Sequence, residues 1–210
     1  MRKELREAFG TAMRISKRDT EKLDCVESDD LLVVIKGSGS LVRDDFSETE
    51  LRPLLRQSIV SVAAAVEVYI AEKASSYIGG ALDGDVPGAR GVTVTLGEVF
   101  DIEQSLTRRR FGWRRILKEK IERDASASPR KIDSVFNLVG KSVPWAQVDK
   151  ARGLAAGKSR DQMKDLASRR NRIAHTGDRR GAGRAAISIV EAQNYLDNAK
   201  ASVEALEATL

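Results

Sequence analysis

The chain has 210 residues, 41% hydrophobic and 32% charged, a balance that suits one soluble folded unit and excludes a disordered or membrane-embedded class. A single cysteine, Cys25, and a single histidine, His175, exclude an internal disulfide framework and a zinc site of Cys/His spacing. The net charge of +5, with a pI near 9.4, favours an anionic partner such as nucleic acid.

The opening residues, Met1-Arg2-Lys3-Glu4, lack the apolar core of a secretory signal. The longest apolar run, 59–70, is interrupted by Ser61 and Glu67 and falls short of the roughly 20 residues of a membrane span, so a cytoplasmic protein is expected. Acidic residues number 31, but no acidic triplet stands out; neither metal nor cofactor is expected. Helical periodicity dominates the chain, which predicts an all-α protein.

An amphipathic helix is predicted over 3–22, and 31–35 (Leu-Leu-Val-Val-Ile) has the composition of a strand with nothing obvious to pair with. Residues 1–44 are accordingly an N-terminal helix and linker ahead of a bundle over 45–210. Ser47 to Glu50 fits a capping box, and Pro53 marks either a kink or the first turn of the next helix. The helix predicted over 54–78 is apolar nearly all round, as befits the centre of a bundle, and Gly79-Gly80 should stop it. A glycine-rich loop follows to Gly97, then helices over 96–106, 114–124 and 129–138, the last capped by Ser128 with Pro129 in its first turn. After a turn through Gly140 and Pro144, two more helices are predicted, over 159–175 and 183–206.

On the 159–175 helix an apolar stripe runs Met163, Leu166, Ala167, Ile173, Ala174, and Arg170 sits within it. An unpaired buried charge is costly, so Arg170 needs a partner. Glu67, the one charged residue in an otherwise apolar window of the central helix, is the natural one; the alternative leaves Glu67 at a wet edge and Arg170 reaching to solvent. Asn171 and His175 lie about 40° apart on the helix, whereas Arg170 and His175 are separated by about 140°, so Arg170 joins that face only by reaching sideways. Histidine is the natural proton exchanger near neutral pH, although at a helix C-terminus it is also favoured by the macrodipole alone. In Arg108 to Arg115 the arginines could hold phosphates while Phe111 or Trp113 stacks a base; core burial of both aromatics is the preferred reading. Arg179, Arg180 and Arg184, just past His175, are better placed to line a cleft.

The segment Arg169-Arg170-Asn171-Arg172-Ile173-Ala174-His175 resembles the motif of the HEPN superfamily: Arg, a polar residue that is often Asn, three residues, then His near the end of a bundle helix. The 52–78 helix with its acidic residue is similar to the family's earlier core helix. The stretch Ser128-Pro129-Arg130-Lys131-Ile132 to Gly140 resembles what precedes the motif helix in small bacterial members associated with RNA repair and phage defence. The resemblance covers about 45–207. It implies an antiparallel HEPN-type bundle with an extra N-terminal segment, and a metal-independent endoribonuclease, a toxin or defence effector, acting as a homodimer and restrained by an antitoxin or a larger complex. It also implies that Arg170, Asn171 and His175 are catalytic and that Glu67 supports them, with Arg179, Arg180, Arg184, Arg109 and Arg110 as the basic residues available to RNA. The rival reading is a catalytically silent module that binds nucleic acid, nucleotide or a partner protein.

Overall fold

Helix α1 (Glu48–Ser76) is the axle of the structure. Ile59, Ala63, Val66 and Ile70 recur at helical spacing and are fully buried, so one stripe of α1 lies wholly inside the core. The computed structural model describes residues 48–84, 88, 92–104, 109–181 and 183–210. Around α1 run α2 (Ile78–Asp83), α3 (Leu96–Gln104), α4 (Arg109–Asp124), α5 (Pro129–Leu138), α6 (Trp145–Ala151), α7 (Lys158–Thr176) and α8 (Ile189–Thr209). Between α7 and α8 lies a two-residue antiparallel ladder, β1 (Arg179–Arg180) against β2 (Gly183–Arg184). The all-α expectation holds for these residues.

The core is a three-helix packing of α1, α7 and α8. Leu196, Ala199, Val203 and Leu206 of α8 and Met163 and Leu166 of α7 close on the α1 stripe, all nearly or fully buried. Each large aliphatic side chain so buried contributes about 1.5–3 kcal/mol. Helices α4 and α5 cover α1 on another side, and α6 braces α7 and α8. Contrary to expectation, 51–83 is long and apolar enough to cross a bilayer by length and composition alone, Ser61 and Glu67 notwithstanding; most of that apolar surface is packed inside the bundle.

Several elements differ from expectation. Gly79-Gly80 does not stop the central helix: the break falls earlier, at Tyr77, and both glycines lie inside α2. There the Ser76 hydroxyl donates to the Lys73 carbonyl, and the Tyr77 ring lies beneath the Lys141 ammonium at 4.7 Å. Of the two alternatives for Pro53, the first turn of a new helix falls away, since α1 begins at Glu48 and runs through it. Helix α4 begins at Arg109, earlier than expected, because Gly112 lets it close against α3, where a Cβ would stand 2.6 Å from Ile102 Cγ1. Ser128 occupies the cap position of α5, but its side chain makes no cap bond; its carbonyl accepts the Lys131 and Ile132 N–H groups instead. The helix expected from 183 starts six residues later, at Ile189, with the Ser188 hydroxyl accepting the Glu191 N–H as its cap. The helix over 3–22, the strand over 31–35 and the capping box at 47–50 lie outside the described side chains.

The start of α7 is tied down by a buried carboxylate on a neighbouring helix. Asp149 of α6 accepts the N–H groups of Gly157 and Ser159 at 2.7 and 2.8 Å, supplying the cap that Gly157 cannot. Burial works to raise the Asp149 carboxyl, but the Ser159 hydroxyl and these N–H groups outweigh it and hold it below its ordinary range. Arg152 then donates to Ser159, Ser202 and Asn198, joining α6 to α7 and α8.

Candidate active site at the end of α7

Two neighbouring arginines leave α7 in different directions. Arg169 is almost wholly buried, with Nη2 2.9 Å from Asp178 Oδ2 and also donating to the Ala186 carbonyl at 2.8 Å. Arg56 of α1 reaches the same carboxylate oxygen through Nε at 3.2 Å and donates to the Ala185 carbonyl at 2.7 Å. Asp178 is fully buried between them, and Arg172 Nε stands 4.0 Å from its other oxygen. Neither Arg169, Arg56 nor Asp178 was singled out from sequence. The apolar stripe of α7 drifts toward Arg169: Met163, Leu166 and Ala167 are buried as expected, Ile173 is half-buried, and Ala174, contrary to expectation, is exposed.

Arg170 turns the other way, to Glu67 on α1, with Nη2 3.6 Å from Oε2. The expected partners therefore meet, but their side chains keep 31% and 24% exposure, so this is a half-wet pair and not a sealed one. At that separation the contact is ionic without being a hydrogen bond, which leaves guanidinium donors available. Burial pushes the Glu67 carboxyl up from its ordinary value; the Arg170 guanidinium and the Ala127 N–H oppose that shift without cancelling it.

Arg170 also makes the sideways reach that its angle on the helix demands: Nη1 donates to Asn171 Oδ1 at 3.2 Å. Asn171 and His175 are both exposed, one helical turn apart on the same face. Gly177 and Asp178 end the helix in the left-handed region, returning their N–H groups to the carbonyls of Ile173 and Arg172. His175 thus sits in the last turn, open to solvent, on a helix end held at Asp178 and at Glu67.

Past the cap, Asp178 and Ala185 bracket the ladder, the Ala185 N–H donating to the Asp178 carbonyl at 2.8 Å. Arg179 and Arg184 are directly opposed across it, and Arg179, Arg180 and Arg184 are all exposed. Arg110 is on α4, engaged by Asp83 through both Nη atoms at 2.7 Å. Arg109 belongs to the same helix, its side chain outside the described set. The expectation that both nearby aromatics are core is overturned: Phe111 is 71% and Trp113 36% exposed. They lie on the first turns of α4 beside Arg114 and Arg115, where Gly112 rather than either aromatic faces the Ile102 contact.

Among the described residues no three His, Cys, Asp or Glu side chains converge as metal ligands would. Comparison with protein-family models, with curated proteins and with solved structures finds no match. The chemistry open to this site has to be read from its own residues.

Proposed function

We propose that the chain is an RNA-cleaving enzyme, a toxin or defence effector, in which Arg170, Asn171 and His175 act on the phosphodiester and Glu67 holds Arg170 in place. The observation that supports this most directly is the Glu67, Arg170, Asn171 chain of contacts, which brings a cation with free donors beside the exposed face that carries His175. Transesterification needs a base for the 2′-hydroxyl, an acid for the leaving 5′-oxygen and positive charge near the phosphorane-like transition state. His175 can move a proton, Arg170 can stabilise the charge, and Asn171 can orient a phosphate oxygen. One histidine per chain cannot serve at once as base and acid, so two copies related by a two-fold axis would complete the site.

The test is direct. The purified protein should cut single-stranded RNA in EDTA, because proton transfer and charge stabilisation are assigned to His175 and Arg170, and should leave 2′,3′-cyclic phosphate ends. DNA, which lacks the 2′-hydroxyl, should survive. His175→Ala should lower the rate by about 10² to 10⁴-fold, Arg170→Ala comparably, and Arg172→Ala less. A His175→Ala protein that cuts RNA as fast as the parent would replace this reading with the silent binding module.

A further inference from the structure

The hairpin after the motif helix is built against its own stability. Two residues per strand is too short a ladder to stand alone, and its one directly opposed pair of long side chains is Arg179 against Arg184, like charges that repel. Arg180 adds a third exposed cation, and no acidic partner meets any of the three among the described residues. The only acid in the segment, Asp178, is fully buried and already engaged by Arg56 and Arg169.

The same buried cluster fixes both ends of the hairpin. Arg56 and Arg169 grip the Asp178 carboxylate at the entrance, and they also donate to the carbonyls of Ala185 and Ala186 at the exit. Asp178 itself has φ of 62°, a conformation that L residues other than Asn and Asp rarely adopt, and Gly181 at the loop has φ of 63°. A left-handed residue, two buried arginines and two ladder ends thus hold three exposed arginines a few residues from His175.

We propose that the Arg56, Asp178, Arg169 cluster is a positioning device that presents the 179–184 hairpin as a preformed grip for the phosphates of single-stranded RNA entering the site. Arginine forks suit phosphate oxygens, and preorganising them removes the ordering cost from binding. The inference rests on the RNA reading of the adjacent motif, but its test is binding and not cleavage, so the two can fail separately.

Anisotropy of a labelled oligouridine, titrated with full-length His175→Ala protein over a series of salt concentrations, reads the grip. Replacing Arg179, Arg180 and Arg184 together by Gln should weaken binding and reduce the slope of log affinity against log salt by about 2, at about 0.7 per lost phosphate contact on a single strand. These side chains are exposed, so the variant should fold. An unchanged slope and affinity would remove the hairpin from the RNA path, and binding of folded peptides in place of RNA would point to a protein partner and overturn the proposal. For the positioning role, Asp178→Asn retains side-chain shape and tolerance of positive φ but removes the charge. It should speed amide hydrogen exchange at Ala185 and across 179–184 while the α1 core stays protected, and weaken RNA binding with the three hairpin arginines intact. Should that variant fail to fold, Arg56→Lys, which retains charge but loses the fork to Ala185, provides the same readout. Hairpin protection and RNA affinity both equal to the parent in the folded variant would show that the cluster positions nothing.

Discussion

Arg169 and Arg170 are adjacent in sequence, identical in chemistry and opposite in environment, and alanine at each position should separate folding from function. Arg169→Ala leaves Asp178, which has no solvent exposure, with one charged hydrogen bond, from Arg56 at 3.2 Å. Breaking a buried pair costs about 3–5 kcal/mol, and because Arg56 remains the lower end, about 3 kcal/mol, applies. At about 2–4 °C per kcal/mol for a domain of this size, the melting temperature should fall by about 6–12 °C. Arg170→Ala breaks a contact of 3.6 Å between side chains that are a quarter to a third exposed, which places it with surface pairs at no more than about 1 kcal/mol, or about 2–4 °C. Circular dichroism melting of the two variants beside the parent at neutral pH reads the difference, and a cleavage assay well below both transitions reads activity. Arg170→Ala should melt nearly as the parent does and be inactive. Equal losses of melting temperature, or a larger one for Arg170→Ala, would refute the assignment of one arginine to the core and the other to the site.

Light scattering at micromolar concentration should report twice the chain mass, and a monomer that still cleaves RNA would remove the argument for a composite site. The Glu67 carboxyl is raised in the fold, so its ionisation is less favourable there than in the unfolded chain: its contribution is fully present below the unfolded value and is lost as pH rises through the folded one. Glu67→Gln should therefore flatten the stability profile above the ordinary carboxylate range, and an unaltered profile by denaturant titration would count against it. Asp149 has the opposite sign, being held low, so its contribution is present above the unfolded value and lost as pH falls through the folded one. Asp149→Asn should remove part of the acid-limb loss; chemical denaturation between neutral pH and acid would show it. Gly112→Ala forces Ile102 to move from a 2.6 Å approach, an overpacking that should cost about 1–3 kcal/mol and loosen the α3 to α4 contact in hydrogen exchange.

The sequence made much of this legible where one periodicity ruled. The C-terminal end of α1 and the boundaries of α5 and α7 follow from apolar spacing and from Pro129 and stand within a residue or two, whereas α1 begins at Glu48, six residues ahead of the predicted 54. The Glu67 to Arg170 contact was legible because each is an odd charge on an apolar surface. What escaped was set by tertiary geometry. Tandem arginines give no local sign of which one turns inward, and the choice depends on Asp178, nine positions on, whose burial needs a left-handed cap to aim it back at Arg56. Helix α6 was missed because it is short and begins beside Pro144, its stability coming from contacts such as Trp145 Nε1 to Asp133 at 2.7 Å. The exposure of Phe111 and Trp113 ran against aromatic preference, since only Gly112 could fit against Ile102.

The tandem arginines also decide what guards the alignment of the motif. If α7 slid by one residue against its neighbours, Arg170 would take the seat that Arg169 holds, and the buried position would still contain an arginine. Asn171 would then face Glu67, so the ionic contacts object only weakly to the error. The strong objection comes from upstream, where the seats of Met163 and Leu166, both almost wholly buried, would receive Lys164 and Ala167. A cation and a void in the core cost several kcal/mol together. The side chains that keep the face of Arg170, Asn171 and His175 in phase are thus two hydrophobic ones inside the core, and trimming either should blur the motif's alignment before it unfolds the bundle.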